Sequence, residues 1–226
     1  MASKGQLTQF KYQILTITLL CILFCTFAFP VQAYAKVNPN SIPDLNTFIE
    51  TVKDGNASTL RGVYVSNVMA LAIVQQPMGN PGYVSTTESV ATQFSIATEV
   101  GNVGLLAHNT AAGSFFSNIK SGDRIVLVYG DGHLESFMAK SIQRYQALNP
   151  LSPYSQFSDL EAQTKFSAEE LFNKVYRGEY HLTLQTCIEN NGNASWGRLF
   201  ILAEPVENSA KTVNALALLS NKKHID

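Results

Sequence analysis

Cysteine is scarce in this chain. Of its three cysteines, Cys21 and Cys25 lie within an N-terminal apolar run, so Cys187 is alone in the remainder. A single thiol forms no disulfide within its own domain, and with no second cysteine it builds no paired-thiolate metal site. Cys187 is then a buried inert thiol, one half of an intermolecular bridge, or a nucleophile. Charge is scarce as well: 15% of residues are charged and the net charge is −1. The first 35 residues hold Lys4 and Lys11 and no acid, so setting those two lysines aside takes the net charge from −1 to −3. That balance gives no reason to expect nucleic acid as a partner. No internal repeat or low-complexity tract is present, which excludes solenoid architectures.

Residues 12–35 carry no charge, and 14–29 is nearly continuous apolar sequence. Lys4 and Lys11 supply a positive start, Pro30 breaks the helix, and Ala33-Tyr34-Ala35 fits a small-residue cleavage site. Residues 1–35 therefore read as a signal peptide, with an uncleaved membrane anchor through residues 12–29 as the alternative. Either way the domain that follows is exported. Cys21 and Cys25 follow Leu20 and Phe24, whereas a lipid-modified cysteine follows a small residue, so both read as apolar filler.

Residues 36–59 read as a polar linker holding one amphipathic turn over 45–53, and 207–226 as a C-terminal tail. Between them, 60–206 is long enough for a single core. Short β-like runs separated by turn residues cover 62–66, 69–74, 89–97, 102–107, 124–129, 134–145, 180–189 and 197–203. Gly130-Asp131-Gly132 between two of them is a tight-turn signal. Eight such runs predict a mainly β fold, a closed barrel or a sandwich. Two short helices interrupt the pattern, over 113–119 and 167–177. In the second, Ser167 and Glu170 form a capping box and Gly178 is a stop. The segment 147–165 is loop-like and long enough to serve a function.

A cysteine nucleophile needs a proton-transfer partner and a group to hold the developing oxyanion. Of the four histidines, His224 is in the polar tail and His133 in the tight turn. His181 shares a strand with Cys187 six positions away, which is about 20 Å of extended chain. His108 closes the apolar run 103–107, where a side chain can project into a cleft, so it is the partner by elimination. A hydrogen-bonded core histidine is the competing reading of His108. If the flanking strands form a hairpin centred near Gly192–Asn193, Arg198 falls directly across from Cys187. A guanidinium there would lower the thiol pKa and hold a carbonyl oxygen through its fork of donors. A one-residue bulge would instead place the two on opposite faces.

These segments resemble the sortase family, cysteine transpeptidases of bacterial surfaces. Thr183-Leu184-Gln185-Thr186-Cys187 matches that family's T-L-x-T-C motif, and Arg198 follows on the next strand in Trp196-Gly197-Arg198-Leu199-Phe200. His108 ends Leu105-Leu106-Ala107-His108, ahead of a short helix and the Gly122-Asp123-Arg124-Ile125 strand start. Many members carry Gly before the histidine and Arg or another polar residue after it, where this chain has Ala107 and Asn109. The resemblance spans about residues 60–206. It implies a closed eight-stranded sortase-type β-barrel with a few short helices. It implies cleavage of an LPxTG-like sorting signal through a thioester, and transfer of the acyl group to an amine of the cell wall or a pilin. Cys187 would be the nucleophile, His108 the proton donor and acceptor, Arg198 the holder of the substrate carbonyl and oxyanion, and Thr186 a substrate or oxyanion contact. Asp123, Asp131 and Glu135 lack metal-loop spacing, so no metal and no cofactor is expected. A catalytically silent barrel that binds a surface peptide, and a thiol hydrolase, are the alternative functions.

Overall fold

Alternation of apolar and polar residues along short β-branched segments builds a barrel whose inside is a continuous apolar core. The structure is a computed structural model and describes residues 42–206. The strands are β1 (Leu60–Val65), β2 (Met69–Gln75), β3 (Val90–Gln93), β4 (Val103–Leu106), β5 (Arg124–Tyr129), β6 (Leu134–Ala147), β7 (Phe157–Asp159), β8 (Lys165–Phe166), β9 (Leu182–Asn190) and β10 (Asn193–Pro205). The helices are α1 (Leu45–Val52), α2 (Ser95–Glu99) and α3 (Ala168–Tyr176), with a 3-10 helix η1 (Ala112–Asn118). The order β10-β9-β4-β3-β2-β1-β5-β6 closes on itself through a β10–β6 ladder, so eight strands form the barrel. The short β7–β8 hairpin extends from β6 outside that ring. The run pattern leaves a closed barrel or a sandwich open; the mainly β, closed eight-stranded architecture with short helices is the one the resemblance implies.

Inward residues such as Leu71, Ile73, Leu105, Ile125, Leu127, Phe137, Leu182, Leu184 and Ile201 fill the barrel at no more than 2% exposure. Each contributes roughly 2 kcal/mol by burial. A second apolar cluster lies on the outer face, where Tyr145, Phe157 and Phe200 meet Leu171, Val175 and Tyr176 of α3. The capping box forms as the sequence predicts: Ser167 Oγ accepts from Glu170 N, and Glu170 Oε2 accepts from Ser167 N. Gly178 follows with φ 110°, a left-handed conformation that suits glycine.

Near the start of β6, Glu135 is 5% exposed and meets Tyr180, which lies just ahead of β9. Its two oxygens accept from Tyr129 Oη (3.1 Å) and Tyr180 Oη (2.8 Å). Cys187 lies near the opposite end of β9.

Three segments differ from expectation. The run 89–97 is a strand only as far as Gln93, after which α2 begins. The segment 147–165 holds the β7–β8 hairpin in place of a plain loop. Within the stretch read as linker, α1 buries Phe48 and Val52 against the outside of β1, β2 and β5. Among the described residues no helix is long and apolar enough to cross a membrane. The apolar segment 12–29, with Cys21 and Cys25, and His224 in the tail lie outside the described residues.

Candidate active site

Asn191 (φ 50°) and Gly192 (φ 79°) both sit in the left-handed region, the backbone that a tight hairpin between twisted strands demands. Their turn joins β9 to β10 with Asn193 paired to Asn190. The register then shifts before Gly197, where β10 carries two more residues than β9. Beyond that irregularity Gly197 pairs with Ile188 and Arg198 with Cys187. An offset of two preserves the faces, whereas an offset of one would reverse them. Cys187 and Arg198 are thus direct antiparallel partners on one face.

His108 arrives from the other side of β9. Strand β4 runs parallel to β9, with Val103 matched to Leu182 and Leu106 to Gln185. Past the ladder, Ala107 N donates to Gln185 O (3.2 Å) and Thr186 Oγ1 donates to Ala107 O (2.9 Å). Carried two residues beyond Leu106, this register sets His108 level with Cys187, one strand spacing away, roughly 4.8 Å. By that register His108, just past the end of β4, falls in line with Cys187 of β9 and Arg198 of β10.

The chain turns sharply after His108, whose carbonyl accepts from both Ala111 N and Gly113 N at 2.9 Å. Gly113 makes the turn possible. A Cβ there would overlap Thr186 Oγ1 and stand 2.7 Å and 2.8 Å from the carbonyl oxygens of Ala107 and His108. Asn109 Nδ2 donates to Ala194 O (3.0 Å), tying the histidine-bearing turn to the β9–β10 hairpin. Sequence reasoning missed both contributions, although the asparagine is visible beside the histidine.

Other side chains fix the nucleophile strand. Thr183 Oγ1 donates to Val175 O at the end of α3 (2.6 Å), and Tyr176 Oη donates to Gln185 Oε1 (2.7 Å). Leu184 points into the barrel core. Thr186 is 4% exposed, with its hydroxyl proton engaged by Ala107 O. Cys187 is half-buried and free. The Arg198 guanidinium is half-buried too. Its Nη1 donates to the carbonyls of Ser195 and Gly197 (both 2.9 Å), and Nη2 lies 3.4 Å from Pro150 O. Its Cζ stands 6.0 Å from the centre of the Phe157 ring. The segment between β6 and β8 therefore packs against the arginine through Pro150 and Phe157.

A cavity of about 320 Å³ opens beside the thiol. Cys187, Thr186, Asn109 and Arg144 are among its walls, but the described lining includes neither His108 nor Arg198. Arg144, which the sequence reading did not single out, is half of the wall's charge, with Glu189 as the other half. Among the described residues no group of three or more His, Cys, Asp or Glu side chains is placed to hold a metal ion.

No protein-family model matches the chain, and no curated protein matches it. Solved structures with a similar fold do exist. Sortase A of Listeria monocytogenes is 15% identical, covering 68% of this chain and 89% of that one, with a TM-score of 0.43. A sortase D5 transpeptidase of Clostridium perfringens is 13% identical, covering 72% and 86%, with a TM-score of 0.43. Sortase C-1 of Actinomyces oris is 13% identical, covering 74% and 82%, with a TM-score of 0.44.

Proposed function

We propose that the protein is an exported, sortase-type cysteine transpeptidase acting at the outer face of the cell membrane. The observation that supports this reading is Arg198 opposite Cys187 in the β9–β10 ladder, with His108 two residues beyond the last β4–β9 pair, Leu106 with Gln185. A nucleophile, a proton-transfer group and a fork of donors on one face are the parts that acyl transfer requires.

Cys187 Sγ attacks the carbonyl carbon of the scissile peptide bond in an LPxTG-like sorting signal. Negative charge develops on the carbonyl oxygen, and Arg198 holds it through donors that are redirected from the backbone carbonyls they now meet. His108 gives a proton to the leaving amine as the C–N bond breaks, leaving a thioester on Cys187. An amine of the cell wall or a pilin then attacks the thioester carbon and His108 takes up its proton. Thr186 acts through position: its hydroxyl pins the end of β9 to Ala107, next to His108. The residues 1–35 direct export in this reading.

The test is cleavage of a sorting-signal peptide by the wild type, by Cys187→Ala and by His108→Ala. Cys187→Ala abolishes cleavage and His108→Ala lowers it by roughly 10² or more. Wild-type rates in Cys187→Ala overturn the proposal. Product analysis with and without an added amine separates transfer from hydrolysis.

A further inference from the structure

Strands β6 and β9 both run antiparallel to β10, so both finish at the same end of the barrel. Gln146, Gly197 and Ile188 form one row there, one residue past Cys187. The turn 148–156 begins just beyond that row and carries no charged residue. Leu151 in it is 92% exposed and Tyr154 88%. Single exposed apolar residues are ordinary on a protein surface, whereas two nearly bare ones on one uncharged turn form a patch. The turn also satisfies its backbone donors internally. Pro150 and Pro153 have no N–H. Leu148 N donates to Gln156 O (2.8 Å), Asn149 N to Ser155 Oγ (3.0 Å) and Ser152 N to Asn149 O (2.9 Å). Tyr154 N donates to Ser152 Oγ and Ser155 N to Ser152 O, both at 3.2 Å. Backbone that leaves water must be satisfied in this way.

The N-terminal chain enters at the same end. Ile42, the first residue the structure describes, shares a cavity of about 200 Å³ with Thr110 and Ala111, in the turn after His108. The chain that follows the apolar segment 12–29 thus joins the barrel at the thiol's end. By the strand directions, 66–68, 84–89, 108–123 and 188–197 are the other connections of this end. Their only charged residues are Glu88, Lys120, Asp123 and Glu189, one cation against three acids. Such a surface has no excess of positive charge to draw it to anionic lipid, so any lipid contact here is apolar.

We propose that the turn 148–156 is a membrane-contact tip. Leu151 and Tyr154 enter the interface of a lipid bilayer, and the end of the barrel that holds Cys187 faces the lipid surface. The leucine goes into the acyl boundary, and the tyrosine ring lies at headgroup level with its hydroxyl wet. Being apolar, the contact forms on neutral lipid and withstands salt. The inference uses the export reading of residues 1–35 and is independent of the chemistry at Cys187.

The test places the full chain in vesicles of phosphatidylcholine brominated in its acyl chains, where bromine quenches tryptophan at short range. Trp196 is the only tryptophan, so Trp196→Phe gives a silent background for Leu151→Trp and Met78→Trp as single probes. Both positions are nearly bare, so neither probe disturbs packing. Strand β2 runs parallel to β3, which runs against β4 and so against β9. Met78, just past the end of β2, is therefore at the far end of the barrel. Emission of Leu151→Trp is quenched relative to unbrominated vesicles, at low and at high salt alike, and that of Met78→Trp is not. An unquenched Leu151→Trp overturns the inference. Equal quenching of the two probes also overturns it, because the barrel then has no preferred face. If Leu151→Trp responds to a sorting-signal peptide and not to brominated lipid, the turn is a peptide contact and the inference fails. Should Trp196→Phe not fold, the same quenching is read as the difference between Leu151→Trp and the wild type, with Trp196 kept in both.

Discussion

Cys187 and Arg198 face each other as Cα partners across the β9–β10 ladder, on the same side of the sheet. Directly opposed residues of this kind have Cβ atoms about 5 Å apart, within reach of a long side chain. On the proposed reading the arginine acts through its planar fork, three of whose contacts already go to carbonyl oxygens. Arg198→Lys keeps the charge and loses the fork. Peptide cleavage by that variant falls by about 10²-fold or more in kcat/KM, measured against the wild type at saturating amine. Equal rates would show that only the charge is needed.

Gly113→Ala tests the close approach behind the histidine. The added methyl group would meet Thr186 Oγ1 and the carbonyls of Ala107 and His108, two of them backbone atoms that cannot swing aside. The 3-10 helix must move, at a cost of about 1–3 kcal/mol in denaturant unfolding. His108 is displaced with it, so peptide cleavage drops by more than the stability loss accounts for.

Thr186 offers a cleaner separation of position from chemistry. Thr186→Val keeps the shape and removes the hydroxyl, leaving Ala107 O without its 2.9 Å donor in a buried place. Chemical denaturation records a loss of about 1–3 kcal/mol, while Thr186→Ser stays near the wild type. If Thr186→Val matches the wild type in both stability and cleavage, the bond to Ala107 is without consequence.

How much of this was legible in the sequence depends on how local each determinant is. The Cys187–Arg198 pairing lies within one hairpin, but its turn is at Asn191–Gly192, not centred at Gly192–Asn193. That turn alone would set Trp196 against Cys187, and the two-residue irregularity before Gly197 restores Arg198 as the partner. The α3 start can be read directly from Ser167 and Glu170. The break of the 89–97 run at Phe94 cannot. Ser95 N and Oγ both bond to Gln76 Oε1, 19 positions earlier, and the Phe94 ring packs on Phe172 and Tyr176. Local alternation therefore points to a strand that tertiary contacts turn into α2. Strands β7 and β8, of three and two residues, are too short to show a period. Arg144 reads as one more solvent-facing residue of β6, because the cavity beside it exists only once η1 and the end of β9 are in place.

The two phenols on Glu135 make a prediction in alkali. Burial foremost, then the Glu135 charge and its hydrogen bond, push Tyr129 and Tyr180 well above their ordinary value of 10.0. A raised folded value means that the fold favours the neutral phenol. The stabilisation is complete below pH 10 and is lost as pH rises above it, toward the folded values. The check is an absorbance titration in alkali followed alongside near-ultraviolet dichroism. Tyr129 and Tyr180 ionise only as near-ultraviolet dichroism collapses. Their ionisation within an intact fold would contradict the burial argument.

The parallel β4–β9 ladder has a consequence for when the chemistry becomes possible. Its last hydrogen bond, Thr186 to Ala107, joins positions 79 apart in the chain, whereas Cys187 and Arg198 belong to one hairpin. Long-range parallel pairing is slow because loop closure must precede its reward. The thiol therefore meets its guanidinium early in folding and its imidazole late. On the proposed reading a half-folded chain carries only an ordinary free thiol, and recovery of peptide cleavage during refolding is a clock for closure of the barrel.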